Sequence, residues 1–280
     1  MVIIVSRLSF FFLLFSTHWT WTYSSRAQAA NTPDIAQAPV EQGKVLRRSY
    51  FFKEANCRMD YALYVPTGYQ SDKPAPLVVL LHGLGSNPFQ IIHYLGMIEE
   101  AEKRGYIVAA PMGYNVAGWY GSLGPGRDFK IKLLQPGNSP PNLGKLSEQD
   151  VFNVLDAVRK QLHTDPARTY LMGHSMGGGG TLYLGMKYPD AWAALAAFSP
   201  ALFSDSDGLK ALQHTPVFVA QGEKDFLVKV EDTRRWIAKM EELGVPHEYM
   251  EIKGGDHLFS IAANPAMISK AFDFLDVHHR

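Results

Sequence analysis

The chain has 280 residues, 46% of them hydrophobic, and 27 basic residues balance 27 acidic ones. This length suits a single α/β domain with a large core, and the balanced charge, with no basic patch, argues against nucleic acid as a partner. Cys57 is the only cysteine, which excludes an intramolecular disulfide. We expect it to be a buried small residue rather than a catalytic thiol.

The N-terminus has the pattern of a secretory signal peptide. A short apolar run at residues 8–15 follows Arg7, and the small residues 27–29 suit a signal peptidase. A membrane anchor is the alternative, but it needs about 20 unbroken apolar residues, and Ser16 ends this run early. We therefore expect residues 1–29 to be cleaved, which predicts a secreted or periplasmic protein with no stable membrane anchor afterwards.

Strand patterns begin after a polar stretch, residues 30–44, which is rich in Ala, Gln and Pro and predicts a flexible lead-in. The remaining residues, 45–280, are expected to form a single folded domain. Residues 47–53 and 61–65 alternate in polarity and are predicted to pair as strands. Continuous apolar runs then predict strands that are buried on both faces. These runs are residues 76–83, 106–111, 168–173, 191–198, 216–222 and 247–254.

Helical patterns separate these strands. Residues 147–150 fit a capping box in front of an apolar stripe, and a second stripe over residues 230–243 ends at Gly244. Asn264 and Pro265 are typical of a helix start. Strands that alternate with helices predict an α/β fold with a mostly parallel central sheet and helices on both faces.

One long segment, residues 112–146, interrupts this alternation. It is rich in Gly and Pro and has no clear period. A loop of this length inside a compact domain is usually functional or mobile. It is too short for a separate cap domain, so we expect it to shape the mouth of a site.

A G-x-S-x-G pattern at residues 173–177 places Ser175 between a predicted strand and a predicted helix. In that context the pattern predicts a nucleophile elbow, a sharp turn that exposes the serine Oγ. The motif alone is weak, and a glycine-rich turn with an incidental serine is the alternative. A phosphate-binding loop is excluded because no G-K-[ST] follows. The glycines at 178–180 are costly in a helix and indicate close packing against the sheet.

A serine nucleophile needs a general base, and the base needs an orienting carboxylate. The expected chain order is Ser, Asp or Glu, then His, each just after a strand, and Asp225 and His257 occupy these positions. Glu223 is too close to its strand, and Asp232 falls within a helix. The side chain of His174, next to the nucleophile, is expected to point away from the serine Oγ.

Two backbone N–H groups are expected to face the negative oxygen of the reaction intermediate. Met176 directly follows the nucleophile, and Leu84 lies in the sequence HGLG, residues 82–85, after an earlier strand. A tight turn is the alternative explanation for this His-Gly pair. Its position two strands ahead of the elbow favours the oxyanion hole.

Aromatic residues are the candidates for substrate contacts. Trp119 and Tyr120 of the long loop, together with Phe89, are the tentative choices, and Tyr94 and Phe203 have the same ambiguity. Loop aromatics are more often packing anchors than ligand contacts.

The chain resembles the α/β-hydrolase superfamily over about residues 46–280. The resemblance rests on LHGLG (residues 81–85), the long segment at residues 164–192, GEKDFLV (residues 222–228) and GGDH (residues 254–257). The details are similar to secreted esterases related to polyhydroxybutyrate depolymerases and feruloyl esterases, and to prolyl-oligopeptidase-like hydrolases. One departure is that the first two branches often carry disulfides, which this chain cannot form.

The resemblance implies an α/β-hydrolase fold without a large cap domain and acyl transfer from Ser175 to water, with no metal and no cofactor. The favoured function is a secreted serine esterase that forms an acyl-enzyme and cleaves a small-molecule or polymer ester. A serine peptidase acting on small peptides is the alternative, although related peptidases usually add a gating domain. A non-catalytic binding protein on the same fold is a third class, but such proteins generally lose a triad member. Neither the acyl and alcohol groups nor an oligomeric state follows from the sequence.

Overall fold

The computed structural model describes residues 39–122, 139–203 and 206–280. Within them, one eight-stranded sheet has the order β1-β2-β4-β3-β5-β6-β7-β8. The strands are β1 (Val45–Phe52), β2 (Cys57–Tyr64), β3 (Ala75–Leu81), β4 (Ile107–Pro111), β5 (Thr164–His174), β6 (Leu195–Phe198), β7 (Val217–Gly222) and β8 (His247–Ile252). The proposed signal peptide and the long-loop residues 123–138 lie outside the described residues.

The sheet is parallel except at one end. β1 pairs with β2 and β2 pairs with β4 in antiparallel fashion, whereas every other pairing is parallel. All seven residues of β3 are buried. Leu77 and Val79 belong to one hydrophobic cluster, and Val78 and Leu80 belong to the other, on the opposite face. Burial on both faces explains why the parallel strands have continuous apolar sequences.

Helices cover both faces of the sheet in the described residues. They are α1 (Pro88–Ile91), α2 (Met97–Arg104), α3 (Leu143–Gln161), α4 (Met176–Lys187), α5 (Val230–Leu243), α6 (Phe259–Ala262) and α7 (Pro265–Asp276). The buried side chains of α3, α4 and α5 join one cluster, and those of α1, α2, α6 and α7 join the other. This arrangement confirms the predicted α/β-hydrolase fold.

Two helix boundaries agree with the sequence patterns and one does not. α5 ends at Leu243, directly before Gly244 with its φ of 67°, and the Asn264 side chain caps α7 by accepting a hydrogen bond from the Met267 N–H at 3.0 Å. The predicted capping box at residues 147–150 is wrong, because α3 begins at Leu143 and these residues lie inside it. The Ser147 and Asp150 side chains are buried and accept hydrogen bonds from the preceding loop instead.

The strand predicted over residues 191–198 is shorter than expected. Residues Pro189–Ala191 form a turn of 3-10 helix, and β6 begins only at Leu195. The intervening Trp192 is fully buried, so its apolar character reflects core packing rather than strand pairing. Residues 39–44, the described part of the predicted lead-in, contain no helix or strand. Among the described residues, no helix combines the length and the apolar character that crossing a membrane requires.

Candidate active site

The chain turns sharply at Ser175, between β5 and α4. Its φ of 58° and ψ of −117° lie outside the regions that residues with a side chain normally adopt. The turn is held by its own backbone: the Ser175 N–H donates to the Phe198 carbonyl at 2.8 Å, and the Ser175 carbonyl accepts from Gly179 and Ala201, both at 2.9 Å. Strain of this kind persists only where the surroundings enforce it, and it concentrates at functional sites.

The glycine run after Ser175 allows α4 to approach its neighbours closely. A Cβ at Gly177 would lie 2.1 Å from the Leu81 carbonyl oxygen, and one at Gly179 would lie 2.0 Å from the Ala201 carbonyl oxygen. Both distances are far shorter than any real contact. The close packing inferred from the sequence is therefore confirmed at this helix.

The three predicted triad residues lie together at the carboxyl ends of β5, β7 and β8. His257 Nε2 is 2.9 Å from Ser175 Oγ, and His257 Nδ1 is 2.7 Å from Asp225 Oδ2. The imidazole and the carboxylate are buried, whereas Ser175 is only half-buried. With Nδ1–H donating to the carboxylate, a neutral His257 presents the Nε2 lone pair to the serine hydroxyl.

Backbone and side-chain donors orient the Asp225 carboxylate. Its Oδ1 accepts from the N–H groups of Leu227 and Val228, both at 2.9 Å, and its Oδ2 also accepts from Gln221 Nε2 at 3.0 Å. Burial raises the pKa of Asp225, but the hydrogen bonds from His257 and from the Val228 and Leu227 N–H groups outweigh it, so the net pKa is lowered. The Asp225 carboxylate is therefore negatively charged at neutral pH.

Gln221 is a site residue that sequence reasoning missed. It lies in β7, fully buried, and its Oε1 accepts from the Thr233 hydroxyl at 2.8 Å while its amide donates to Asp225. An uncharged polar residue near the end of an otherwise apolar strand was the signal that could have revealed it, because a buried amide needs partners.

His174 supports the loop that carries His257. Its Nε2 is 2.9 Å from the His257 carbonyl oxygen, and its Nδ1 is 2.8 Å from the Tyr94 hydroxyl. A carbonyl only accepts, so Nε2 carries the proton and Nδ1 accepts from Tyr94. Burial, together with the neighbouring His257, lowers the pKa of His174 to about 3, so the ring is neutral. Both ring nitrogens thus bond away from Ser175.

The other acidic residues near the site have separate partners. Asp256 Oδ1 accepts from the N–H groups of Leu258 and Ser260, both at 3.1 Å, and so stabilises its own loop. Glu223 accepts from the Gly254 N–H at 2.6 Å, and Asp232 pairs with Arg235 on α5.

Two backbone N–H groups near Ser175 are available for a ligand. Neither Leu84 nor Met176 donates its N–H to an acceptor among the residues that the structure describes. Met176 is the first residue of α4, where N–H groups lack a partner within the helix. The loop that carries Leu84 runs beside the nucleophile, since a Cβ at Gly83 would lie 3.4 Å from Ser175 Cβ.

Trp119 and Tyr120 were expected to contact the substrate, but both side chains are buried and pack inside the protein. Tyr120 is fully buried, and its hydroxyl donates to the His82 carbonyl at 3.2 Å, so its ring presents no surface to a substrate. Trp119 is 5% exposed and packs edge-to-face on Phe203. Phe89 is half-buried beneath the Arg47 guanidinium, 4.1 Å from its ring centre. A substrate contact by Phe89 stays a prediction.

Asp150 on α3 is a buried carboxyl group that contacts the loop after β4. It accepts from the Tyr50 hydroxyl and from the Gly113 N–H, the latter at 2.6 Å. Burial raises its pKa from 3.8 to about 6, although the hydrogen bond from Tyr50 acts in the opposite direction. Burial also raises the pKa values of its titratable neighbours Tyr50 and Cys57, so both stay neutral in this range.

Asp150 makes the stability of the folded protein depend on pH. Because the folded protein holds the Asp150 proton more tightly than the unfolded chain does, the protonated carboxyl group contributes its full stabilisation below the unfolded pKa. This stabilisation is lost as the pH rises through about 6. The difference corresponds to about 3 kcal/mol. We expect Asp150→Asn to lack this slope, measured by urea unfolding of both proteins across that range. An unchanged difference between the two proteins at every pH would contradict the assignment.

No group of three or more His, Cys, Asp or Glu side chains suited to a metal ion occurs in the part of the chain that the structure describes. The candidate site contains a serine, a histidine and a carboxylate, with two N–H donors nearby.

Comparisons with known proteins place the chain in a family of esterases. The Esterase family model matches residues 53–261. S-formylglutathione hydrolase of Rattus norvegicus is 29% identical over 154 residues, which cover 52% of this chain and 53% of that protein. The Bos taurus enzyme of the same name is 29% identical over 161 residues, with the same coverage. The chain therefore spans about half the length of the curated relatives it matches.

Solved structures share the fold at lower identity. A thermostable esterase has a TM-score of 0.64 at 23% identity, covering 84% of this chain and 63% of that one. A ferulic acid esterase of Anaeromyces mucronatus has a TM-score of 0.63 at 19% identity, covering 85% and 94%. The family model matches well over half of the chain, and the chain belongs to the Esterase family, with the α/β-hydrolase fold.

Proposed function

We propose that this protein is a serine esterase that hydrolyses carboxylic esters through Ser175, His257 and Asp225. The observation that carries the proposal is the position of His257, with Nε2 at 2.9 Å from Ser175 Oγ and Nδ1 at 2.7 Å from Asp225. This is the relay that a serine nucleophile requires, because its hydroxyl is a weak nucleophile at neutral pH. Membership of the Esterase family adds support.

In the first half of the reaction, Ser175 Oγ attacks the ester carbonyl carbon while His257 Nε2 accepts the hydroxyl proton. The resulting imidazolium is stabilised by the Asp225 carboxylate. The N–H groups of Leu84 and Met176 donate to the oxyanion of the tetrahedral intermediate. His257 then protonates the leaving alcohol, and the acyl group remains on Ser175 as an ester.

In the second half, water replaces the alcohol. His257 accepts a proton from the water as its oxygen attacks the acyl carbon, and a second oxyanion forms at the same two donors. Collapse of this intermediate releases the acid and returns the proton from His257 to Ser175. Each proton transfer thus uses a side chain of this chain.

The names of the relatives support an ester rather than an amide as the substrate, since they are named as esterases, ferulic acid esterases and S-formylglutathione hydrolases. A small-molecule ester is the substrate class we propose. The test compares kcat/KM for short-chain p-nitrophenyl esters with kcat/KM for p-nitroanilides of the same acyl groups. The esters are expected to have the larger values. Equal or larger values for the anilides would favour the peptidase alternative and overturn the proposal.

We also propose that the protein is secreted or periplasmic. The apolar run at residues 8–15 and the small residues at 27–29 support cleavage near Ala30. N-terminal sequencing of the mature protein checks this point. A mature chain that retains residues 8–15 would indicate an uncleaved anchor instead.

A further inference from the structure

We propose that Ser147 and Asp150, on α3, are positioning residues for the oxyanion loop, residues 82–85. They act through residues 112–120, here called the bridging segment, which lies between α3 and this loop. The proposal rests on the proposed function, since it concerns the N–H of Leu84. Neither side chain is assigned any contact with the substrate.

The bridging segment is held in a strained conformation. Tyr114, Trp119 and Tyr120 have φ values of 67°, 56° and 52°. These are three of the six non-glycine residues with positive φ in the described ranges, and a fourth is the nucleophile, Ser175. Residues with a Cβ avoid this region unless the surrounding structure holds them there. Contacts with the surrounding structure must therefore hold the bridging segment in this conformation.

Hydrogen bonds to side chains of α3 hold both ends of the bridging segment. Asp150 Oδ2 accepts from the Gly113 N–H at 2.6 Å and from the Tyr114 N–H at 3.3 Å. Ser147 Oγ accepts from the Tyr120 N–H at 2.9 Å. Both acceptors are fully buried, so water does not replace them when they are removed.

The segment passes close to Ser147 along its length as well. A Cβ at Gly118 would lie 2.3 Å from Ser147 Oγ, which leaves no room for a side chain there. The hydroxyl of Tyr50 donates to Asp150 Oδ1 and holds the carboxylate from the other side. The two α3 side chains therefore determine where the segment lies.

The bridging segment in turn contacts the oxyanion loop at three points. The His82 ring Nε2 is 2.8 Å from the Met112 carbonyl oxygen, and the Tyr120 hydroxyl donates to the His82 carbonyl at 3.2 Å. The Gly85 N–H donates to the Val116 carbonyl at 2.9 Å. The contacts at residues 82 and 85 enclose Leu84, so the direction of its N–H depends on the bridging segment.

This dependence affects the transition state more than the bound substrate. An oxyanion donor must lie within about 0.5 Å of its ideal position, and it is needed most when the carbonyl oxygen becomes negative. Displacing Leu84 should thus lower kcat and leave KM nearly unchanged. A side chain that only stabilises the fold would lower the melting temperature and leave kcat of the folded enzyme intact.

The experiment measures kcat, KM and the affinity for a trifluoromethyl ketone, whose hemiketal oxygen occupies the oxyanion hole. The variants are Ser147→Ala and Asp150→Asn, and Val154→Ala is the matched control. Val154 is a buried core residue on the same helix, and its apolar side chain forms no hydrogen bond with the bridging segment. Circular dichroism verifies that each protein is folded at the assay temperature.

For Ser147→Ala we expect kcat to fall about 10- to 100-fold, less than the loss of a whole donor, with a similar loss of ketone affinity and little change in KM. Asp150→Asn should shift both quantities in the same direction. Val154→Ala should lower the melting temperature and retain kcat. Folded Ser147 and Asp150 variants with normal kcat and ketone affinity would overturn the proposal, as would a control with the same kcat loss.

A fourth variant decides the matter if the α3 variants do not fold. Tyr120→Phe keeps the buried ring and removes only the hydroxyl that bonds to the His82 carbonyl. It should lower kcat and ketone affinity together, and normal values would overturn the proposal. If the wild-type protein itself hydrolyses no ester, the proposed function fails. If the wild type is active and the variants match it, only the positioning role fails.

Discussion

Replacing Ser175 with alanine is expected to lower ester turnover about 10⁶-fold while the protein still folds. The strained turn is held by backbone hydrogen bonds to Phe198, Gly179 and Ala201, and none of these involves the serine hydroxyl. Alanine keeps the Cβ and removes only the Oγ that faces His257 Nε2 at 2.9 Å. Loss of the nucleophile should therefore leave the scaffold intact.

The measurement is kcat/KM for a short-chain ester, together with mapping of a fluorophosphonate adduct by mass spectrometry. The wild-type adduct should lie on Ser175 and be absent from the variant. Ser71→Ala serves as the control, because Ser71 is an exposed serine in the turn ahead of β3. Labelling of a different serine, or substantial turnover by Ser175→Ala, would show that the nucleophile has been misassigned.

Asp225→Asn is expected to lower kcat about 10⁴-fold without unfolding the protein. The N–H groups of Leu227 and Val228 both point at Oδ1, so the amide oxygen of an asparagine should take that place. Its NH₂ group would then face His257 Nδ1, 2.7 Å away in the present structure. A donor there stabilises the tautomer with the proton on Nε2, which cannot accept the proton of Ser175.

The control for this variant is Asp232→Asn on α5. Asp232 pairs with Arg235 at the helix surface, and the substitution removes the same charge away from the site. It should retain wild-type kcat, whereas Asp225→Asn should lose activity with an unchanged circular dichroism spectrum. Full activity of Asp225→Asn would mean that His257 does not need a carboxylate, and the mechanism would have to be abandoned.

The core of the candidate site was predictable from local sequence. An elbow is a backbone conformation of five residues, so 173–177 and the flanking apolar strand carry its whole signature. Asp225 and His257 are distant from Ser175 in the chain, His257 by 82 residues, but each of them follows a strand. Because parallel strands bring their carboxyl ends to one edge of the sheet, position after a strand was enough to predict that they meet.

Side chains whose partners are far away in sequence could not be assigned in this way. Residues 147–150 have the local pattern of a helix cap, but Ser147 bonds to Tyr120 and Asp150 to Tyr50, which is 100 residues away. Tyr120 looked like an exposed loop aromatic and is fully buried. Polar side chains and aromatic rings satisfy whichever neighbours the fold supplies, and a local pattern does not name those neighbours.

The sequence by itself determined the fold class, the elbow and the order of Ser175, Asp225 and His257, because periodicity, glycine spacing and strand ends are properties of the chain's local conformation. Only the tertiary structure showed which residues hold the parts of the candidate site in place. Gln221 holds the carboxylate, His174 holds the carbonyl of His257, and the bridging segment holds the oxyanion loop. The last two sets of contacts join elements that are distant in sequence, and all three exist only after the sheet has assembled and excluded water from between them.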